Sequence, residues 1–260
     1  MPNTADLLDF ARELADEARA LALANFRRLD GIDVKDDRTP VTVADRAIER
    51  RLRERIAATY PQHGVLGEEE GADRADAEWV WVLDPIDGTK AFASGNPLFG
   101  TLLGLLHRGE PLLGVMDAPA LGERWWACRG GGAWHQGGRI HVRKPRSLAD
   151  AVLYCTTPDL LIDHDGHRRL RRSVQWTSYG ADCIAYGLVA LGGADLIVDC
   201  SLKPHDWVAL APILSEAGGT ITDWQGRPLR VDGPGEVLVA TGPELAAAAR
   251  RALGTDVPTA

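Results

Sequence analysis

The chain has 260 residues, of which 45% are hydrophobic and 25% charged. This composition is typical of a folded globular protein and excludes the disordered, collagen-like and coiled-coil classes. The 29 Lys and Arg residues against 37 Asp and Glu residues give a net charge of −8, which argues against a basic face for nucleic acid. We expect one large domain or two closely packed subdomains.

The first residues do not have the pattern of an export signal. Asp6, Asp9 and Glu13 interrupt the segment in which a signal peptide would have its apolar core. No uncharged apolar run reaches the about 18 residues that a membrane-spanning helix needs. We therefore expect a cytoplasmic protein with no membrane partner. The 4 cysteines lie far apart, lack zinc-finger spacing and are expected to be reduced thiols.

The spacing of apolar residues predicts two helices in the first part of the chain. The first helix is expected to begin with Thr4 as its cap and to end at the Asp-Gly pair 30–31. The second helix is expected to begin at Thr42. Thr42 and Asp45 form a T-x-x-D capping arrangement at its start.

Strands are predicted in the middle of the chain. The apolar run 79–83 is typical of a strand buried on both faces, which we expect to stop at Asp84-Pro85. Short apolar stretches between Gly and Pro turns then predict an antiparallel meander. The charged, proline-containing stretch 139–146 is the best boundary candidate. We therefore divide the chain into an N-terminal α+β half, 1–145, and a C-terminal half, 146–260.

Strands and helices alternate in the C-terminal half, as in an α/β layer. The predicted order is strand 151–155, polar loop 159–167, helix 181–191, strand 194–200, helix 207–217 and strand 220–223. The histidines of the polar loop, His164 and His167, lack a third metal ligand and are expected at the surface. The predicted fold class is α/β, with an α+β half followed by an α/β half.

At three places in the sequence, acidic residues come directly after an apolar stretch or stand next to an apolar residue. These places are Glu68 to Glu70, Asp84 to Asp87, and Asp206 beside Trp207. A carboxylate at the end of a buried strand costs free energy unless a cation or hydrogen bonds compensate its charge. Hard divalent cations with oxygen ligands supply that compensation. The alternatives are an acidic triplet in a solvated loop and an aspartate that only caps a helix.

The segment that begins at Asp84 has the features of a metal and phosphate site. Pro85 fixes the backbone after the strand, and Gly88 allows a tight turn that aims Asp84 and Asp87 at one point. Gly88 and Thr89 would present backbone N–H groups to a phosphate at the start of the next helix. The Thr89 hydroxyl is available to hold a nucleophilic water.

Four motifs, in this order along the chain, resemble those of the inositol monophosphatase family of metal-dependent phosphatases. They are Thr-Val-Ala-Asp at 42–45, Gly-Glu-Glu at 67–69, the segment 84–89 with Phe92, and Asp206 through the Ala-Gly-Gly at 217–219. His205 departs from the family, which commonly has Trp before this aspartate. The resemblance implies a layered α-β-α-β-α sandwich, a homodimer, and hydrolysis of a small-molecule phosphate monoester.

The resemblance also implies the roles of the site residues. The implied metal ligands are Glu68, Asp84 and the Ile86 carbonyl for one Mg²⁺, and Asp84, Asp87 and Asp206 for a second. Asp45 would support metal-bound water or a third ion, and Glu68 with Thr89 would activate the attacking water. The substrate phosphate would contact Asp87, Gly88 and Thr89. Mn²⁺ accepts the same oxygen ligands.

Within the family, the surroundings of Asp182 and Asp199, and the pair Trp125-Trp126, are most similar to the histidinol-phosphatase branch. Histidinol phosphate carries an ammonium group and an imidazole, for which the two aspartates are suitable partners. The implied reaction converts L-histidinol phosphate and water to L-histidinol and phosphate in histidine biosynthesis. The alternatives are an inositol-1-phosphatase, a broad sugar-phosphate phosphatase, and a regulatory binding protein of transcription or RNA processing.

Several of these residues also have purely structural interpretations. Asp45 and Thr89 can serve only as helix caps, and Glu69 and Glu70 can be solvated. Lys35 resembles a family position near the active site, and its alternative is an exposed surface lysine. The sequence alone leaves these alternatives open.

Overall fold

The computed structural model describes residues 3–28, 32–34, 40–159, 161 and 164–255. The chain divides into two compact units, which are Met1–Arg139 with His205–Ile213 and Ile140–Pro204 with Leu214–Ala260. Lys35 and the expected helix end at 30–31 lie outside the described residues. Among the described helices, none combines the length and the apolar character that a membrane crossing requires.

The chain up to Ile140 forms a large sheet with helices. The helices are α1 (Thr4–Asn25), α2 (Val43–Thr59) and α3 (Thr89–Ser94). The strands are β1 (Ile32–Val34), β2 (Pro40–Thr42), β3 (Gly64–Gly67), β4 (Ala72–Asp73), β5 (Trp79–Asp87), β6 (Gly100–His107), β7 (Glu110–Ala118), β8 (Glu123–Cys128), β9 (Gly132–His135) and β10 (Gly138–Ile140). Eight strands form one sheet in the order β10-β9-β8-β7-β6-β5-β3-β4, and β1 pairs with β2.

Helices α1 and α2 share a hydrophobic core with this sheet. The cap of α1 is Asn3 rather than Thr4, because the Asn3 side chain accepts a hydrogen bond from the N–H of Ala5 at 3.2 Å. Alternate strand residues face the helices, as expected for a sheet buried on this side. The core of the unit includes Leu7, Phe10, Leu14, Ile48, Leu52, Trp81, Leu83, Leu103, Leu105, Leu113 and Val115.

Strand β5 extends further than the sequence predicts. It does not stop at Asp84-Pro85 but continues to Asp87, because the pairing with β6 resumes after a shift in register. Asp84 pairs with Leu102, and Asp87 pairs with Gly100. A bulge of this kind bends a strand and re-aims its side chains while pairing is kept. The predicted meander is formed by β6 to β9, which pair antiparallel.

The chain after Ile140 forms a mixed five-stranded sheet with further helices. The strands are β11 (Val152–Cys155), β12 (Trp176–Tyr179), β13 (Leu196–Asp199), β14 (Thr220–Thr222) and β15 (Val237–Ala240). The helices are α4 (Asp165–Ser173), α5 (Asp182–Ala190), α6 (Pro204–Trp207), α7 (Leu210–Glu216) and α8 (Pro243–Leu253). The strand order is β12-β11-β13-β15-β14. Strand β11 is parallel to β12 and β13, and β15 is antiparallel to β13 and β14.

These sheets and helices confirm the α/β fold class, and three further local predictions are wrong. The polar loop 159–167 ends early because α4 begins at Asp165. The helix predicted over 207–217 is two short helices, α6 and α7. His167 is not at the surface but buried, with its Nε2 3.3 Å from the Sγ of Cys155.

Candidate metal centre

The end of β5 is held by two hydrogen bonds from threonine hydroxyls. Thr101 on β6 donates to the Pro85 carbonyl at 2.8 Å, and Thr89 donates to the Ile86 carbonyl at 3.0 Å. Gly88 is the N-cap of α3 and has a φ of 83°, a conformation that glycine adopts without strain. These contacts fix the backbone within the bulge, between Asp84 and Asp87, the two predicted ligands of β5.

A pair of glycines in the sheet admits the segment that carries Asp206. Gly104 on β6 and Gly114 on β7 are cross-strand neighbours. A Cβ at Gly104 would lie 2.7 Å from the Cγ1 of Val208, and a Cβ at Gly114 would overlap the carbonyl oxygen of Ala209. The backbone at Val208 and Ala209 therefore lies directly on the sheet. This close approach holds the segment between α6 and α7 against the sheet, directly after the short helix that carries Asp206.

The structure brings Asp84, Asp87 and Asp206 into one carboxylate cluster. One oxygen of each aspartate lies within 4.8 Å of the others. Asp84 is 2% exposed, and Asp87 and Asp206 are half-buried. Burial raises the pKa of Asp84 well above its usual value, and the negative charges of Glu68, Asp87 and Asp206 raise it further. The cluster is therefore a set of acidic oxygen donors whose buried member is surrounded by other negative charges.

Among the described residues, one buried oxygen in this cluster has no hydrogen-bond partner. It is the Oδ1 of Asp84, whose surroundings among the described residues offer it no donor. A buried carboxylate oxygen without a donor is costly. All-oxygen donor sets of this kind suit hard divalent cations. The residues present therefore fit a divalent cation, and the cluster could bind a metal.

Asp45 caps α2 with one oxygen and leaves the other available. The N–H and the hydroxyl of Thr42 donate to Asp45 Oδ2 at 2.8 and 2.5 Å, and Thr42 Oγ1 accepts from the N–H of Ala44 at 3.1 Å. This is the capping box that the sequence predicts. The Oδ1 of Asp45 is buried without a partner among the described residues, and burial raises the pKa of this side chain. Capping alone therefore does not account for both oxygens.

Glu68 follows directly on β3, next to the end of β5. Its N–H donates to the Leu83 carbonyl at 3.2 Å, and Gly67 pairs in parallel with Leu83. Glu68 and Asp45 lie outside the group whose oxygens are within 4.8 Å. After burial, the charge of Glu68 is nevertheless the largest influence on the raised pKa of Asp84. The metal-binding roles of Glu68, Asp84, Ile86, Asp87 and Asp206 stay predictions.

The sequence motifs do not include Glu49 and Arg53, two residues of α2 that contact the loop after β3. Glu49 is 0% exposed and accepts hydrogen bonds from the Nε of Arg53 and from the N–H groups of Glu69 and Glu70. A signal was present in the sequence, because Asp45, Glu49 and Arg53 are spaced by four on one helix. Charged residues that recur on the buried face of a helix are unusual.

The two aspartates predicted to bind substrate lie in the second unit. Asp199, at the end of β13, is 3% exposed. It accepts hydrogen bonds from the N–H and hydroxyl of Thr156 at 2.7 and 3.0 Å and from the hydroxyl of Tyr186 at 2.9 Å. Burial raises the pKa of Asp199. These bonds tie β13 to the end of β11 and to α5, which is a positioning role. Binding of substrate by Asp199 stays a prediction.

Asp182 differs from Asp199 in exposure and backbone conformation. It is half-buried and begins α5. Its φ is 41°, in the left-handed region that residues other than glycine rarely adopt. Such outliers occur more often at binding sites than elsewhere, because the surrounding structure must hold them. This observation is compatible with a substrate role for Asp182, which also stays a prediction.

The chain matches the inositol monophosphatase family over residues 3–255. The bifunctional phosphatase IMPL2, chloroplastic, of Arabidopsis thaliana is 43% identical over 82% of this chain. The match covers 63% of that relative, so this chain spans less than two thirds of its length. A histidinol-phosphatase of Chlorobaculum parvum is 38% identical over 88% of this chain and 90% of its own length.

A solved structure gives the same result for the fold. An inositol monophosphatase from Zymomonas mobilis superposes with a TM-score of 0.89 at 38% identity, covering 98% of this chain and 100% of that one. The family is metal-dependent, in agreement with the acidic cluster described above. On the whole-length match, the identities and the shared fold, the chain belongs to the inositol monophosphatase family.

Proposed function

We propose that the chain is a divalent-cation-dependent phosphomonoesterase whose substrate is L-histidinol phosphate. The observation that carries the phosphatase proposal is the cluster of Asp84, Asp87 and Asp206, with oxygens within 4.8 Å and one buried oxygen unpaired among the described residues. A bound cation would compensate like charges at this separation. Because the donors are all carboxylate oxygens, Mg²⁺ or Mn²⁺ suits them better than a metal that prefers Cys and His.

The proposed cation ligands are those expected from the family resemblance. One cation would be held by Glu68, Asp84 and the Ile86 carbonyl, and a second by Asp84, Asp87 and Asp206. Asp45, whose Oδ1 has no partner within the part of the chain that the structure describes, would bind metal-coordinated water or a third cation. Bound divalent cations supply a water of lowered pKa and stabilise the negative charge on the leaving oxygen.

Thr89 would orient the attacking water. Its hydroxyl proton is donated to the Ile86 carbonyl at 3.0 Å, so the lone pairs of Oγ1 are available to accept a hydrogen bond from a water. Glu68 would accept the proton that this water loses. The N–H groups of Gly88 and Thr89 would bind the phosphate oxygens, next to Asp87.

The substrate proposal rests on charge and on the relatives. A histidinol-phosphatase and an inositol monophosphatase are each 38% identical to this chain, so identity alone does not choose between the two substrates. Histidinol phosphate is cationic at the end remote from phosphate, whereas inositol phosphate has only hydroxyl groups there. The carboxylate of Asp182 would bind that cationic end. Inositol phosphate is the second candidate, favoured by the similarity to the Zymomonas mobilis inositol monophosphatase.

A substrate comparison tests this proposal. The wild-type protein should hydrolyse histidinol phosphate faster than inositol phosphate, with activity lost on chelation of divalent cations. Asp182→Asn should raise KM for histidinol phosphate about 10- to 100-fold, as expected for a hydrogen bond to a charged group. The KM for inositol phosphate should change less than about twofold, because a neutral ligand does not need the charge.

The matched control is Asp232→Asn, an exposed aspartate that pairs with Arg230 in the same unit, and it should leave both KM values unchanged. An equal effect of Asp182→Asn on both substrates would place Asp182 in the general architecture of the protein. A preference of the wild-type protein for inositol phosphate would refute the substrate proposal. The homodimer and the cytoplasmic location expected from the sequence remain proposals, and light scattering tests the first of them.

A further inference from the structure

Glu49 is a fully buried carboxylate that lies outside the four family-like motifs. It is on α2, one turn after Asp45, and its side chain is 0% exposed. A buried carboxylate is costly unless hydrogen bonds and a cation satisfy it. The contacts of Glu49 therefore indicate what this position does.

Both oxygens of Glu49 accept hydrogen bonds from the loop that follows β3. Oε2 accepts from the N–H of Glu69 at 2.8 Å, and Oε1 accepts from the N–H of Glu70 at 3.0 Å. Oε1 also accepts from the Nε of Arg53 at 2.8 Å. The guanidinium thus compensates the charge, and the carboxylate holds two consecutive peptide groups directly after Glu68.

Arg53 and Gly67 complete this contact. Arg53 donates through Nη2 to the Gly71 carbonyl at 2.5 Å, and the same carbonyl accepts from the N–H of Gly67 at 2.9 Å. The loop 67–71 is therefore closed on itself and tied to α2. A Cβ at Gly67 would overlap the carboxylate of Glu49 and lie 2.7 Å from the Nη2 of Arg53, so the loop packs on Glu49 with no room for a side chain at this position.

The charges around this loop make such a clamp necessary. The loop carries three consecutive glutamates and approaches Asp84 and Asp45, whose charges interact with that of Glu68. Mutual repulsion would drive the loop away from the aspartates whenever no cation lies between them. The backbone hydrogen bonds to Glu49 act on the peptide groups next to Glu68 and oppose that movement.

We propose that Glu49 and Arg53 are positioning residues that hold Glu68 toward Asp84 and thereby pre-form the cation site. The inference rests on the proposed function, since it takes Glu68 to be a cation ligand. Glu49 touches neither substrate nor cation and acts only through the loop. Residues of this kind, which orient a ligand, typically contribute 10- to 100-fold to metal affinity.

The test uses Glu49→Gln in the full-length protein. The amide keeps one acceptor oxygen, loses the ion pair with Arg53, and turns N–H donors toward the donors of the loop. We expect Mn²⁺ affinity, measured by calorimetric titration, to fall about 10- to 100-fold. In the metal-free protein, hydrogen exchange at the amides of Glu69 and Glu70 should become faster. Turnover should recover at high Mn²⁺ concentration, with KM for the phosphate ester unchanged.

Gly67→Ala tests the same contact from the opposite side and should reproduce the loss of Mn²⁺ affinity. The double variant should bind Mn²⁺ no less tightly than the weaker-binding single variant, because both changes break the same contact between Glu49 and the loop. The matched control is Arg50→Gln, since Arg50 is an exposed residue of the same helix whose side chain pairs with the side chain of Glu70, at 3.7 Å, and not with its backbone N–H. It should leave affinity and exchange unchanged.

The outcomes separate this inference from the proposed function. Unchanged Mn²⁺ affinity in both Glu49→Gln and Gly67→Ala, with or without faster exchange, would overturn the positioning role. If Glu49→Gln does not fold, Gly67→Ala and Arg53→Gln decide the question by the same two measurements. A wild-type protein that binds no divalent cation would contradict the proposed function itself.

Discussion

Asp84 and Asp117 are both buried aspartates of the eight-stranded sheet, but they differ in the charges of their neighbours. Asp117, near the end of β7, is 0% exposed and accepts hydrogen bonds from Arg19 at 2.7 and 3.0 Å and from Arg124 at 2.6 Å. Asp84 is 2% exposed, but the charges that act on it are those of other carboxylates.

The comparison separates structural from functional burial of a charge. The guanidinium groups of Arg19 and Arg124 compensate the charge of Asp117 within the chain. The ion pair with Arg19 also links α1 to the sheet, and no cation from solution is needed to compensate the charge. Asp84 has an oxygen without a partner among the described residues, and its neighbours raise its free energy instead of lowering it. A cation would therefore compensate the charge of Asp84, whereas Asp117 already has its compensating charges within the chain.

The largest expected effects come from changing these two aspartates to asparagine. Asp84→Asn should lower kcat/KM at least about 100-fold by removing a cation ligand, while the metal-free protein becomes no less stable, because carboxylate repulsion is relieved. Asp117→Asn should do the reverse. It should cost about 2 to 3 kcal/mol of unfolding free energy, since two arginines lose a partner although they are partly exposed, and it should leave turnover of the folded protein intact.

Urea unfolding of the metal-free variants and steady-state kinetics measure the two effects. Loss of stability in Asp84→Asn with unchanged turnover would show that Asp84 is a structural residue. It would remove the contrast with Asp117.

A smaller effect is expected where the sheet admits the third aspartate. Gly114→Ala places a methyl group against the Ala209 carbonyl, which should destabilise the protein by about 1 to 3 kcal/mol. It should also move Asp206 and lower kcat about 10-fold or more. Gly138→Ala is the control, because a Cβ there would make only an ordinary contact with the His135 carbonyl at 3.5 Å. Equal activities of the two variants would contradict the dependence of Asp206 on the glycine pair.

The smallest expected effect is on the pH dependence of stability. Because burial and neighbouring carboxylates raise the pKa of Asp84 in the folded state, the folded metal-free protein holds this proton more tightly than the unfolded chain. Its unfolding free energy should therefore decrease as pH rises from about 4, the ordinary pKa of Asp, up to the raised value. The cation binds the ionised form, so stabilisation by Mg²⁺ should grow over the same range.

Thermal unfolding at a series of pH values, with and without Mg²⁺, measures this dependence. Subtracting the profile of Asp84→Asn isolates the contribution of Asp84 from those of Asp45 and Asp199, whose pKa values are also raised by burial. A profile of the metal-free wild type that coincides with that of Asp84→Asn would show that the charge of Asp84 is compensated within the chain.

The sequence predicts those parts of the site whose signal is local. Asp84 and Asp87 are predicted as site residues because they follow an uninterrupted apolar run. Thr42 and Asp45 are predicted as a helix cap from their spacing. The bulge after Asp84 was not predictable, since pairing with Gly100 depends on a different strand. Of the two arginines that pair with Asp117, Arg19 is likewise not predictable because it is on a helix distant in the chain, whereas Arg124 lies opposite Asp117 on the next strand.

The missed elements have weak periodic signals. Helix α4 contains four arginines and buries only Gly166, His167 and Leu170, so its sequence resembles a polar loop. The break between α6 and α7 has a local cause, because Pro212 of α7 has no N–H to donate to the Val208 carbonyl in a continuous helix. Gly104 and Gly114, on which Val208 and Ala209 pack, give no comparable signal, because a glycine has no side chain from which a contact can be inferred. The bulge in β5 therefore depends on a distant strand, whereas α4 and the break between α6 and α7 have their causes in the local sequence.

The return of His205–Ile213 to the first unit determines when the carboxylate cluster can form during synthesis. A ribosome adds residues from the N-terminus, so the eight-stranded sheet is complete while the glycine pair on β6 and β7 still lacks the segment that covers it. Asp206 emerges only after most of the second unit has been made. Until then the nascent sheet carries Asp84 and Asp87 without Asp206. The electrostatic repulsion among the carboxylates of the cluster is therefore lower while the N-terminal part folds than after Asp206 has joined them.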